Sequence, residues 1–357
     1  MSELTFYLNM KFSNDSHSLS QYVSNYTINQ IKKAGKRLKE NKNDIESLKI
    51  LGNWRESHFY PMQYVGQKLQ KISMNIDSSA IVTQRLKRAP AIIEKLKRFP
   101  NMSLVNMQDI AGCRIIVKNI DHQYEIVNEI KNAFKIKTEK DYVKNPKSDG
   151  YRSIHLICEL PNELMSKFDK QTVEIQIRTK IQHFWATTLE TIDIIEDTSM
   201  KTGKGEEKWM NFFKDVSDAF AKYEQGKDKL FFGLFKNSYM KIKKQAQELD
   251  LRKKLSKLKN IAINKENVNE SKDELFILEL DYNKKTSVYS IKIDGYKSKS
   301  YLFATNKYLL SEKNLNKNRN IVFVRARNLS ELKIAYPNYH ANVESFLKLY
   351  KEIIGWN

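Results

Sequence analysis

The chain has 357 residues, 41% of them hydrophobic, enough for two or three packed domains. Sixty-two Lys and Arg against 42 Asp and Glu leave a formal net charge of +20, which favours a polyanionic partner such as RNA or nucleotide phosphates; lysines solvating helix faces would give the same sum. Two cysteines, Cys113 and Cys158, exclude a disulfide framework and a paired-cysteine zinc site, and the absence of a leader or a long apolar run predicts a cytoplasmic chain with no membrane partner.

Helical periodicity predicts helices over Tyr22 to Lys39, Ile45 to Trp54 and Ile81 to Arg98, with breaks at Pro61, Pro90 and Pro100. A strand over Gly112 to Val117, a helix with Tyr124, Val127, Ile130 and Phe134 on one side, and strands over Ser153 to Leu160 and Val173 to Arg178 follow. That order implies an α+β fold, a mixed sheet flanked by helices. His183 to Lys259 is helical again, interrupted by a loop at Lys201 to Gly205. The organisation read from these shifts is a domain over 1–260, a polar linker over 261–273 and a small, separate β-rich domain over 274–357. In the last, strands are expected at Glu274 to Tyr282, Ser287 to Ile293, Lys299 to Ala304 and Asn320 to Arg325, and a helix at Asn342 to Ile354.

Strict alternation in Val173 to Arg178 puts Glu174, Gln176 and Arg178 on one face and Val173, Ile175 and Ile177 on the other. Alternation from Tyr151 through Ser153 to His155 likewise sends an aromatic, a hydroxyl and an imidazole to one side, behind a turn, Asn145 to Gly150, whose Lys147 could meet a phosphate. An aromatic beside lysines suits base stacking and phosphate binding, and equally a packed core. Arg85, Lys87, Arg88, Lys95 and Arg98 are spaced to share one side of a helix, as a triphosphate site or a solvated face requires. Asp109, just before a strand, could hold Mg²⁺ or cap a turn.

Four separated segments, Arg85-Leu86-Lys87-Arg88 with Lys95, Asp109 to Arg114, Lys140 to His155 and Val173 to Thr179, together resemble the RelA/SpoT synthetase family over roughly 22–197. The resemblance implies a RelA/SpoT nucleotidyltransferase-like sheet and a reaction in which a ribose 3′-hydroxyl attacks the β-phosphorus of ATP and AMP leaves. It implies ATP contacts from Arg85, Lys87, Lys95 and Arg114, and Mg²⁺ on Asp109 and Glu174. Catalysis would fall to Asp109, Tyr151 and Glu174, and acceptor binding to Tyr151, Lys147 and His155. The family's serine in the basic helix is Ala91 here, and no His-Asp dipeptide of the family's hydrolase occurs, so the product would be made and not removed.

Ala34 to Leu38, Asn53 to His58 and Tyr60-Pro61 are similar to the toxic small branch of that family, whose acceptor is the 3′ end of tRNA. Lys32, Lys33, Lys36 and Arg37, with Lys39, then become a track for tRNA, or remain a solvated face. The C-terminal region resembles the fused antitoxin of CapRel-type antiphage proteins. That resemblance implies neutralisation of the ATP cleft by Tyr336 and Tyr339, which flank Pro337, and release by a phage structural protein of capsid type; packing of the region's own core is the other role open to the two rings. A small alarmone synthetase with GDP or GTP as acceptor shares every catalytic residue.

Overall fold

A computed structural model describes residues 23–165, 167–168, 170–195, 206–226, 232–256, 262–266, 268–270, 272–283, 288–313, 319–336 and 344–355. The described residues open with three helices, α1 (Ile28–Glu40), α2 (Ile45–Ser57) and α3 (Phe59–Ile76). Thr27 starts α1 with a reciprocal capping box to Gln30, and Asp44 caps α2 by accepting from the Ser47 amide. Every third or fourth residue of α1, namely Ile31, Ala34 and Leu38, is buried.

Strand β1 (Ile81–Leu86) then leads to α4 (Ala89–Arg98), β2 (Ala111–Val117), α5 (Ile120–Ala133), β3 (Ile136–Asp141), β4 (Ile154–Glu159) and β5 (Thr172–Thr179). The single helix expected over Ile81 to Arg98 is thus a strand followed by a helix. Ile81, Val82 and Thr83 are β-branched, and Pro90 sits in the first turn of α4, where its missing amide proton costs nothing. Strand β3 was not foreseen, because an edge strand reading Ile-Lys-Thr-Glu-Lys-Asp has little apolar signal.

Helices α6 (Lys180–Ile195), α7 (Glu207–Glu224), α8 (Phe232–Glu248) and α9 (Leu251–Ser256) follow; the expected loop at Lys201 to Gly205 lies outside the described residues. Next come β6 (Ala262–Glu266), β7 (Leu275–Asn283), β8 (Val288–Tyr296), α10 (Tyr301–Lys313), β9 (Arg319–Arg325), α11 (Leu329–Ala335) and α12 (Glu344–Ile354). The segment read as a linker thus carries β6, and the strand expected at Lys299 to Ala304 is instead a 3₁₀ turn and the start of α10. That helix buries Ala304 and Tyr308, four residues apart, a spacing an alternating pattern does not produce.

Among the described residues nine strands form one mixed sheet in the order β3-β4-β5-β2-β1-β9-β7-β8-β6; β2–β5 and β6–β8 are parallel and the other pairs antiparallel. The seam between the first five strands and the last four is β1–β9, where Gln84 faces Arg325 and Arg85 faces Val324. One core crosses that seam: Val82, Ile115 and Ile175 share a cluster with Ile277, Tyr308 and Phe323. A second cluster joins α6, α7 and α8 to Phe346 and Tyr350 of α12.

Candidate active site

Residues from β1, β2, β4 and β5 meet around a cavity of about 500 Å³. Alternation on β5 works as the sequence suggests: Val173, Ile175 and Ile177 enter the core, while Glu174, Gln176 and Arg178 line the cavity. Strand pairing sets Gly112 of β2 beside Glu174, and both Arg114 of β2 and His155 of β4 beside Gln176. Ser153 is fully buried beneath the cavity wall: its hydroxyl donates to the Ile177 carbonyl at 3.0 Å and also lies within hydrogen-bond reach of Tyr151, on the same side as that ring and His155.

Five of these side chains close a ring of polar contacts. The Tyr151 hydroxyl is 2.7 Å from His155 Nε2, and His155 Nδ1 is 3.2 Å from Glu174 Oε1. Gln176 Nε2 donates to Glu174 Oε2 at 2.7 Å, and Arg178 Nη2 donates to Gln176 Oε1 at 3.1 Å and the Tyr151 hydroxyl at 2.8 Å. Burial pushes the Glu174 carboxyl up, but the hydrogen bond and charge of His155, with Gln176, outweigh it and bring it down to about 2. Tyr151 is likewise raised by burial and overridden by Arg178 and His155, ending at about 7. Burial lowers His155, and its contacts with Tyr151 and Glu174 raise it further than burial lowers it. Gln176 and Arg178 were legible only as polar neighbours of Glu174 on the alternating face.

Arg85, Lys87, Lys95 and Arg98 all line the cavity, though not along one helix: Arg85 is on β1, Lys87 follows it, and Lys95 and Arg98 are on α4. Lys87 Nζ and Lys95 Nζ lie 2.9 and 2.8 Å from Asp109 Oδ2. Burial alone would raise Asp109, and the two ammonium groups hold it below the ordinary carboxylate range. Asp109 Oδ1 is buried without a hydrogen-bond partner. An orphaned carboxylate oxygen on a cavity that Glu174 also lines fits Mg²⁺, which takes one or two protein carboxylates and completes its shell with substrate phosphates and water. Among the described residues no group of three or more His, Cys, Asp or Glu is placed to hold a metal.

The turn before Tyr151 is held from outside the sheet. Gly150 has φ +90°, and its carbonyl accepts from Ser217 Oγ of α7 at 2.5 Å. Arg152 donates to Ser217 Oγ at 3.1 Å and pairs with Asp218 at 2.8 Å. Lys147 Nζ stands 4.8 Å from the Tyr142 ring and 4.7 Å from the Tyr151 ring, a cation between two aromatic faces. Tyr142 is a cavity residue the sequence reading passed over.

The C-terminal region reaches the same cavity. Tyr336, 4% exposed, lies with its ring 5.5 Å from the Arg114 guanidinium, and Arg114 Nη1 donates to the Ala335 carbonyl at 3.2 Å. His183, kept neutral chiefly by burial and by the nearby arginines, shares a 2.8 Å contact from Nε2 to the Ile334 carbonyl. Tyr339 lies outside the described residues. Away from the cavity, Lys32, Lys33, Lys36 and Arg37 form the exposed side of α1, and Arg37 pairs with Glu46 at 2.8 Å. Lys39 instead donates to the Pro100 and Met102 carbonyls at 2.6 and 2.8 Å, fastening α1 to the loop after α4.

Residues 84–192 match a region found in RelA / SpoT proteins. The GTP pyrophosphokinase YjbM of Bacillus subtilis is 40% identical over 111 residues, 30% of this chain and 52% of that protein; YwaC of the same species is 39% identical over 110 residues, 29% and 52%. The chain therefore spans about half the length of these curated relatives. The crystal structure of small alarmone synthetase 1 from B. subtilis bound to its product pppGpp is 29% identical, with a TM-score of 0.42 over 48% of this chain and 92% of that one.

Proposed function

We propose, for a chain that carries a RelA/SpoT synthetase region, that it transfers pyrophosphate from ATP to the 3′-hydroxyl at the end of tRNA and that its own C-terminal region restrains it. The transfer reading rests above all on one observation: two ionised carboxylates, Asp109 and Glu174, share a cavity with Arg85, Lys87, Lys95, Arg98 and Arg114. Such a set neutralises a triphosphate and orders a nucleophile beside it. The 3′-hydroxyl loses its proton to solvent as its oxygen bonds to the β-phosphorus, the bond from that phosphorus to the α,β-bridging oxygen breaks, and AMP departs with that oxygen. Bound Mg²⁺ supplies charge neutralisation on the phosphates.

Glu174, held at about 2, is a weak base and a strong hydrogen-bond acceptor. Its role in this reading is to orient the 3′-hydroxyl through the fixed ring of His155, Tyr151, Arg178 and Gln176. An acceptor base that stacks on Tyr151 takes the place of the Lys147 ammonium, which moves to the acceptor's phosphate.

Exposed Lys32, Lys33, Lys36 and Arg37 and the net charge of +20 support tRNA as acceptor. The 40% identity to a GTP pyrophosphokinase over 111 residues supports GDP or GTP instead. Restraint is supported by Tyr336 against Arg114, where it competes with the ATP base for that guanidinium. A phage structural protein that prefers the open form would shift the population to activity. The test is transfer from labelled ATP by the full chain and its Tyr336→Ala variant, each with tRNA, GDP and GTP. Label on tRNA, greater in the variant, is expected; label on GDP or GTP alone makes the chain an alarmone synthetase, and equal rates from both forms remove the restraint.

A further inference from the structure

We infer that the C-terminal region does not only cover the ATP end of the cavity but also braces it, with Glu312 of α10 and Arg55 of α2 as the positioning residues. The inference rests on the ATP-binding reading of Lys87 and Lys95. Arg55 and Glu312, 2% and 6% exposed in their side chains, meet at 2.6 Å between Arg55 Nη1 and Glu312 Oε2. Arg55 Nη2 donates to the Tyr308 hydroxyl at 3.0 Å, and that hydroxyl donates to Glu312 Oε1 at 2.8 Å.

What makes this more than a buried ion pair is where its other bonds go. Arg55 Nε donates to the Lys87 carbonyl at 2.9 Å, and the Ala89 amide, at the first position of α4, donates to Glu312 Oε1 at 3.1 Å. The Lys87 amide donates in turn to the Ile110 carbonyl at 2.8 Å, beside Asp109. So the peptide from Lys87 to Ala89 is pinned on one side by β2's entry and on the other by the pair. The ends of this peptide set where Lys87 Nζ and, through the axis of α4, Lys95 Nζ meet Asp109.

A carboxylate at the start of α4 also satisfies an amide that nothing within the helix can reach, and it lies along the favourable end of the helix dipole. Withdrawing α10 would take away the anion of Arg55 and the acceptor of the Ala89 amide, leaving the Lys87–Ala89 peptide held on that side by Arg55 alone, and breaking a buried pair in this way is costly. Opening that frees the cavity must therefore move Tyr336 while keeping Glu312 in place. The C-terminal region is then part restraint and part scaffold, the two roles sitting on different elements, Tyr336 after α11 and Glu312 on α10.

The test uses the full chain with Tyr336→Ala, so that the ring is removed, and adds Glu312→Ala, Glu312→Gln, or Arg55→Met with Glu312→Leu. Calorimetric binding of an ATP analogue with a methylene between its α- and β-phosphates should weaken about tenfold in Glu312→Ala, with KM for ATP rising alike and KM for the acceptor unchanged. Glu312→Gln, which keeps an acceptor for the Ala89 amide, should fall between. The apolar pair should recover thermal stability without recovering analogue affinity. Amide exchange across 87–98 should quicken in Glu312→Ala even without nucleotide. Lower stability with unchanged affinity and exchange would make the pair merely structural and overturn the inference. Failure of the parent variant to bind the analogue at all would instead overturn the ATP-site reading, and exchange would still decide the brace.

Discussion

Replacing Arg178 by Gln should move the ionisation of one tyrosine by several pH units. Arg178 Nη2 is 2.8 Å from the Tyr151 hydroxyl, and the phenol sits at about 7 in spite of burial. A unit charge about 4 Å away at an effective dielectric of about 20 is worth ~4 kcal/mol, close to three pKa units. Without the guanidinium, Tyr151 should return to about 10, burial and the lowering by His155 both being unchanged. Linkage gives the sign: a phenol whose folded pKa is depressed adds stability that is present above its ordinary value and is lost as pH falls through about 7. Wild type should therefore gain stability relative to Arg178→Gln between about pH 7 and pH 10. Near-ultraviolet tyrosinate difference absorbance reads the titration directly, with Tyr151→Phe identifying the step. The reasoning fails if Tyr151→Phe removes no ionisation near neutrality, or if Arg178→Gln leaves that step where it was.

Gly150→Ala places a Cβ 3.0 Å from Lys214 Cα and Ser217 Cβ at a φ of +90°, so denaturant melts should show a loss of ~2–4 kcal/mol, with acceptor KM rising as the Tyr151 turn shifts. Lys95→Met leaves Lys87 alone on Asp109. ATP KM should then rise about tenfold with acceptor KM unmoved, as steady-state kinetics would show. Glu224 is raised to about 7, chiefly by burial, although Thr179 and Gln182 donate to it. A raised carboxyl costs stability progressively as pH climbs from its unfolded value to about 7, so Glu224→Gln should stabilise the protein by ~1–3 kcal/mol above neutrality and change nothing below pH 4, measured by thermal melts across pH.

Much of the site was legible because β-strand alternation is a short-range property: residues 173–178 needed nothing beyond their own order to separate Glu174 from Ile175. Segment type was less legible where two patterns overlap. Ile81 to Arg98 carries cations at helical spacing, yet its first six residues gain more by pairing with β2 across the full register from Ile81–Ile116 to Leu86–Ala111 than from a helix interrupted at Pro90. Long-range partners were not legible at all. Nothing in residues 55 and 312 announces a 2.6 Å contact, nor in Ser217 its bond to Gly150, because such contacts follow from how α2, α7 and α10 pack. Tyr336 was singled out by the family resemblance, but its neighbour Arg114 was read only as an ATP contact.

Strand β1 is flanked on one side by β2 and on the other by β9, and only two of its residues, Gln84 and Arg85, are in register with β9. Were the last four strands to leave, β1 would become the border of a five-stranded sheet, with unsatisfied amides and carbonyls running beside Arg85. Borders of that kind recruit strands from other molecules and drive aggregation. The C-terminal segment covers that border at Gln84 and Arg85, and a shortened chain ending before β6 should self-associate through β1 more readily than the full chain, as light scattering would show.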